Sequence, residues 1–171
     1  MFGGHFDGAH PDEVRPQGVY YLPLTGRMAA LNGGFSLFCV DATEERLTIA
    51  LNAKQVEGRW LTYGPVNGPE FIPFDKQAHF RSIQLNGKNW IGRAYTANDT
   101  TGDEKSRACL FYFCLIHNAN ALCGYTPVAW LARPKRNQLW KIKAILESVE
   151  FVDTPASAST SPAASAATPS Q

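Results

Sequence analysis

Cysteine and histidine crowd together at one place in this sequence. Cys109, Cys114, His117 and Cys123 follow one another with four, two and five residues between them. These are the side-chain types of a zinc site. Structural zinc sites, however, draw their ligands from tight knuckles that turn the side chains toward one point. Here the intervening LFYF is an unbroken apolar strand pattern, and Cys109 and Cys114 fall on opposite faces of that strand. We therefore expect no metal. Two readings of the thiols remain. If the chain turns at Asn118 and Ala119, Cys114 lies opposite Cys123, and facing strand positions can meet disulfide geometry. Such a pair belongs to an oxidising compartment. The other reading is two small reduced hydrophobes in a cytoplasmic core.

Nucleophilic catalysis needs a Cys or Ser activated by a neighbouring base. Cys114 and His117 are close in sequence but point to opposite sides of a strand. His79 is the alternative base. No G-x-S-x-G elbow, P-loop or G-x-G-x-x-G cradle is present. Asp41, Glu44, Glu45, Asp103 and Glu104 all fall in expected turns, where carboxylates are solvated. Asn98-Asp99-Thr100 matches a glycosylation sequon, a signal that depends on compartment. No residue is assigned a catalytic role, and no cofactor is expected.

Aromatic side chains are the other resource. The segment YGPVNGPEFIPF carries Tyr63, Phe71 and Phe74 among prolines and glycines. A stiff loop bearing apolar side chains can dock on a partner at reduced entropic cost. The plainer reading folds this loop back on its own core. Arg133 and Arg136, with Lys135 between them, are further interface candidates; their plainer reading is a solvated helix start.

The elements that must position these groups are mostly strands. Runs 19–24, 35–41 and 60–63 carry β-rich patterns. RLTIALN, residues 46–52, alternates with Leu47, Ile49 and Leu51 on one face, and we assign it to a strand. A helix is the rival there, since Asp41 and Glu44 have capping-box spacing. Asn86-Gly87 is the favoured dipeptide of a two-residue type I′ turn, a register that pairs Leu85 with Lys88 and Ile83 with Trp90. Residues 109–116 and 121–130 form a second hairpin. Pro134 suits a first helical turn and Asn137 is an alternative cap. Leu139, Ile142, Ile145, Leu146 and Val149 then recur on one helical face. Phe151 and Val152 resume a β pattern. The expected fold is α+β: an antiparallel sheet sandwich with one long C-terminal helix followed by a short strand.

The chain has 171 residues, 44% hydrophobic and 12% aromatic, which suits one core. Charged residues are 18% and the formal net charge is +1, without the basic footprint of a nucleic-acid binder. No apolar run approaches the ~20 residues that span a bilayer. Residues 1–18, rich in Gly and Pro, read as a flexible arm; 19–153 as a single domain; and 154–171, almost purely Ala, Ser, Thr and Pro, as a disordered tail. The N-terminus is not a signal peptide as written. This fits a cytoplasmic protein, or a periplasmic one whose leader was removed.

The stretch FCLIHNANALCG, followed by PKRNQLWKIKAILESVEFV, resembles the C-terminal part of small bacterial proteins found beside type VI secreted toxins as candidate immunity proteins. The helix bearing ILESVEF is also similar to that of PsbP-like α/β/α sandwiches. The resemblance covers the last third of the ordered chain and implies no site residues. It implies a non-enzymatic bacterial binding module whose partner is another protein, a toxin occluded at its active site. Two other classes stand beside it: a small Cys-His hydrolase, and an envelope-associated structural or lipid-binding module.

Overall fold

In the computed structural model, the described residues are 17–21, 34–64 and 70–153. They form nine strands and two α-helices: β1 (Gln17–Tyr21), β2 (Gly34–Asp41), α1 (Glu44–Leu51), β3 (Ala53–Val56), β4 (Arg59–Tyr63), β5 (Phe71–Pro73), β6 (Arg81–Asn86), β7 (Ile91–Asn98), β8 (Ala108–His117), β9 (Asn120–Trp130) and α2 (Leu139–Glu147). The fold is α+β, with two antiparallel sheets. One is six-stranded in the order β1-β2-β9-β8-β7-β6; the other is three-stranded, β3-β4-β5. The strand begins at Gln17, inside the span read as an arm, and the tail at 154–171 lies outside the described residues.

Strand alternation gives the large sheet two apolar faces, each with its own core. On one face Leu85, Phe111, Phe113, Leu115 and Val128 pack against Ile142, Ile145 and Leu146 of α2. On the other, Tyr95, Cys114, Ala121 and Cys123 pack against Leu47 and Leu51 of α1, with Trp60 and Phe74 from the small-sheet region closing the cluster. Burying both faces at ~25 cal/mol per Å² of apolar area is the main favourable term for such a sheet.

Four expectations need correction. Residues 46–52 are mostly helix, not strand. Leu47 and Leu51 are spaced for either structure, but Ile49 between them is 55% exposed, as helical geometry requires. The cap is Thr43, whose Oγ1 accepts the Arg46 N–H at 3.3 Å. Glu44 and Glu45 occupy the first turn, where the helix dipole favours acids.

The C-terminal helix is also shorter than expected. A 3₁₀ turn over Pro134–Arg136 precedes α2, which has nine residues, and Asn137 Oδ1 accepts the Leu139 N–H at 2.8 Å. Among the described residues no strand follows it. Phe151 N–H donates to Asn89 Oδ1 at 3.2 Å, and Phe151 C=O accepts from Asn89 Nδ2 at 2.8 Å. One side-chain amide thus takes the place of a strand partner.

The first hairpin departs from the type I′ register. Leu85 pairs with Gly92 and Ile83 with Ala94, leaving Gly87–Trp90 as the loop. Trp90 decides this. Its indole is buried and its Nε1–H donates to Val149 C=O at 2.8 Å. The ring also lies so close over Gly87 that a Cβ there would sit 2.0 Å from it. Burying Trp90 outweighs local turn preference. Finally, Phe71–Pro73, read as loop, is the third strand of the small sheet.

Candidate binding surfaces

The β8–β9 hairpin turns at Asn118 and Ala119, and Asn118 adopts a left-handed backbone with φ 52°. Counting back from that turn sets Cys114 opposite Cys123, and their sulfurs form a disulfide. Both lie fully buried in the α1-side core. Cys109 packs against the α2-side core instead. A sulfur held in a disulfide is no nucleophile, so a hydrolase built on Cys114 or Cys123 loses its reactive atom while the bond is intact. Among the described residues, no group of three or more His, Cys, Asp or Glu side chains is placed to hold a metal.

His117 lies on the rim of the same hairpin. Its Nδ1 is 2.6 Å from Asn89 C=O, its Nε2 is 2.9 Å from Asp153 Oδ1 and 3.0 Å from Asn118 Nδ2, and Phe151 stacks on its ring at 5.0 Å. The Asp153 hydrogen bond, then that to Asn89, holds its pKa above the ordinary histidine value. These contacts fasten residues 149–153 to the hairpin ends and give His117 a structural task.

The aromatic segment divides in two. Phe74 stacks on Phe80 at 4.5 Å and meets Tyr95 edge-on at 5.3 Å, inside the α1-side core. Tyr63 and Phe71 are directly paired across β4 and β5, with ring centroids 4.4 Å apart. Residues paired across a sheet share a face, and the face alternates along each strand. Thr62 and Trp60 face inward: Thr62 Oγ1 donates to Asn52 C=O at 3.1 Å, and Trp60 meets Tyr95 at 5.3 Å. Tyr63, Leu61, Phe71, Pro73, Lys54 and Val56 therefore share the outer face. Lys54 Nζ sits 4.0 Å from the Phe71 ring centroid, so the three side chains form one contact group. Val56 is 42% exposed and the other members are half-buried or exposed. Arg133 and Arg136 are both exposed, and Arg133 borders a cleft of about 290 Å³ with Lys105, Ser106 and Trp130.

Two larger cavities flank the end of β7. One of about 510 Å³ is lined by Tyr63, Phe74, Tyr95, Asn98, Asp99 and Tyr112. Burial pushes the hydroxyl pKa values of Tyr95 and Tyr112 up, and Tyr95 Oη donates to Leu51 C=O at 2.6 Å. The other, about 600 Å³, includes His79, Arg81, Asp99, Arg107, Cys109 and Trp130. Burial raises the Cys109 pKa, so the thiol stays protonated. His79 and Cys109 thus share a cavity, but the sulfur is not activated as a thiolate.

Neither this second cavity nor the outer face of the small sheet was picked out in full from sequence. The first had a signal. Arg81 continues the parity of Ile83 and Leu85, and Arg107 that of Cys109 and Phe111, so each arginine extends a core-facing row. No protein-family model, curated protein or solved structure matches the chain.

Proposed function

We propose that this protein is a non-enzymatic binding module of bacterial type that recognises another protein through the outer face of its small sheet. The observation that carries the reading is the contact group Lys54, Phe71 and Tyr63, flanked by Leu61, Pro73 and Val56. Binding energy at interfaces concentrates in a few aromatic or cationic anchors whose side chains lose little freedom on docking. Phe71 touches both the Tyr63 ring and the Lys54 ammonium, so part of its ordering cost is met within the monomer. In the specific form of the proposal the partner is a toxin and the sheet face occludes its active cleft. That form rests on the resemblance of the C-terminal third to immunity proteins of type VI toxins. The buried Cys114–Cys123 disulfide supports an oxidising compartment such as the periplasm.

The test is co-purification of the tagged full chain with the product of an adjacent gene. A stoichiometric complex that survives gel filtration, and that suppresses the partner's activity, is the expected result. Free migration of the two proteins, with the partner's activity unchanged, would refute the immunity reading.

A further inference from the structure

Helix α2 does not cover the sheet face it packs on. Nine helical residues reach ~14 Å, whereas the eleven residues of β9 extend ~36 Å. The uncovered end of that face is the cavity of about 600 Å³. Its walls include Ile83, Trp130 and Leu139, with Thr96 and Cys109 beside them, and Arg81 and Arg107 supply the charge. Small-ligand sites have this make-up: mostly apolar walls of roughly 300–1,000 Å³ with a few convergent polar groups.

The charges there are unbalanced. Asp99 is the only carboxylate among the described lining residues, and its Oδ2 already accepts the Ala108 N–H at 2.9 Å. Among the described residues the Arg107 guanidinium pairs only with Glu104, at 3.9 Å, and that glutamate is 84% exposed. Its Nε is buried and has no hydrogen-bond partner among the described residues. Arg81 makes no ion pair among the described residues. Buried donors are rarely left unpaired without a reason, and a guanidinium presents a planar fork that matches carboxylate and phosphate oxygens.

We propose that this cavity binds a small organic anion, a carboxylate or phosphate whose head meets Arg81 and Arg107 and whose short apolar body lies against Ile83 and Leu139. The head satisfies the buried Nε–H, and the body covers the sheet that α2 leaves open. The site is separate from the outer face of the small sheet and does not depend on it.

The test uses the full chain with hexanoate, hexyl phosphate and, as the neutral control, 1-hexanol. Cys109 lines the cavity and Cys39 does not, so the alkylation rate of each thiol, followed by mass spectrometry, gives a site readout with an internal reference. At least one of the two anions should slow alkylation of Cys109 fivefold or more, saturably, and leave Cys39 unchanged. Which anion protects identifies the head group. Arg107→Met and Arg81→Met should each raise the half-protecting concentration at least tenfold with Tm held. Arg81 is exposed, so its variant keeps the test valid if Arg107→Met does not fold. Protection by 1-hexanol equal to that by the anions, no protection by either anion at millimolar concentration, or full protection in both variants would overturn the proposal.

Discussion

At the residue scale, His117 shows how geometry assigns protons. The Asn89 carbonyl can only accept, so Nδ1 carries a hydrogen and Nε2 is the atom that titrates. When neutral, Nε2 accepts from Asn118 Nδ2; when protonated, it donates to Asp153 Oδ1. The Asp153 bond raises the histidine pKa above the ordinary ~6.5. A raised pKa in the folded state means that folding favours the protonated form. The stabilisation is fully present below the unfolded value of ~6.5 and is lost as pH rises through the higher folded value. Comparing Tm of the native chain and Asp153→Asn from pH 5 to 9 tests this. The native chain should be the more stable at pH 5 to 6, and the difference should fade by pH 9. A difference constant across that range would mean that Asp153 acts without the imidazolium. Phe151 stacked on His117 and Trp90 bonded to Val149 hold the same segment by contacts that do not titrate, so the segment stays docked as the ion pair weakens.

At the element scale, β9 is the strand on which both cores depend, because it lies between β2 and β8. Gly124 sits at its crowded middle, paired with Leu37 on one side and Phe113 on the other. A Cβ at this position would lie 2.2 Å from Ser36 C=O and 2.8 Å from the Phe113 ring, which is fully buried and meets Phe35 edge-on at 5.8 Å. Neither neighbour can yield cheaply. Gly124→Ala should therefore cost about 1–3 kcal/mol or more, read as a lower denaturant midpoint at unchanged m. Part of the architecture was legible in the sequence. The β8–β9 hairpin was, because its two apolar runs flank one short polar turn and set Cys114 against Cys123. Helix α1 was misread because positions 47, 49 and 51 fit a strand as neatly as 47 and 51 fit a helix, and only the exposure of Ile49 separates the two. The β6–β7 loop was misread because Asn86-Gly87 speaks only of local turn energy. The burial of Trp90 depends on Val149, 59 residues away. The cavity beside Arg81 and Arg107 was legible only as two arginines on core-facing rows, because they converge through the β6-β7-β8 pairing and the shortness of α2.

At the scale of the whole molecule, the two sheets do different work. The large sheet spends both faces on cores and keeps its shape through them. The small sheet gives only its inner face to the α1-side core, so its outer face keeps Val56 exposed and Phe71, Tyr63 and Leu61 half-buried. Its edge strand β5 is three residues long and ends in Pro73, a short and proline-blunted edge of the kind that discourages strand addition. In the proposed binding mode, recognition at this edge falls to side chains rather than to the open backbone. This separates Phe71 from Phe74, which the sequence grouped together. Phe74→Ala removes a ring stacked on Phe80 and edge-on to Tyr95 and should destabilise the fold by about 3 kcal/mol. Phe71→Ala removes a ring that touches Tyr63 and Lys54 on the outer face and should cost about 1 kcal/mol or less of stability. Partner binding should show the reverse pattern, with Phe71→Ala weakening the complex by about 2 kcal/mol, roughly thirtyfold in Kd. Tyr63→Ala should weaken it in the same direction, because Tyr63 holds the Phe71 ring in place. Denaturant curves and titration calorimetry on the same preparations give both quantities. If Phe71→Ala binds the partner as tightly as the native chain, the outer face is not the docking surface. The exposed Arg133 and Arg136 then become the next positions to truncate.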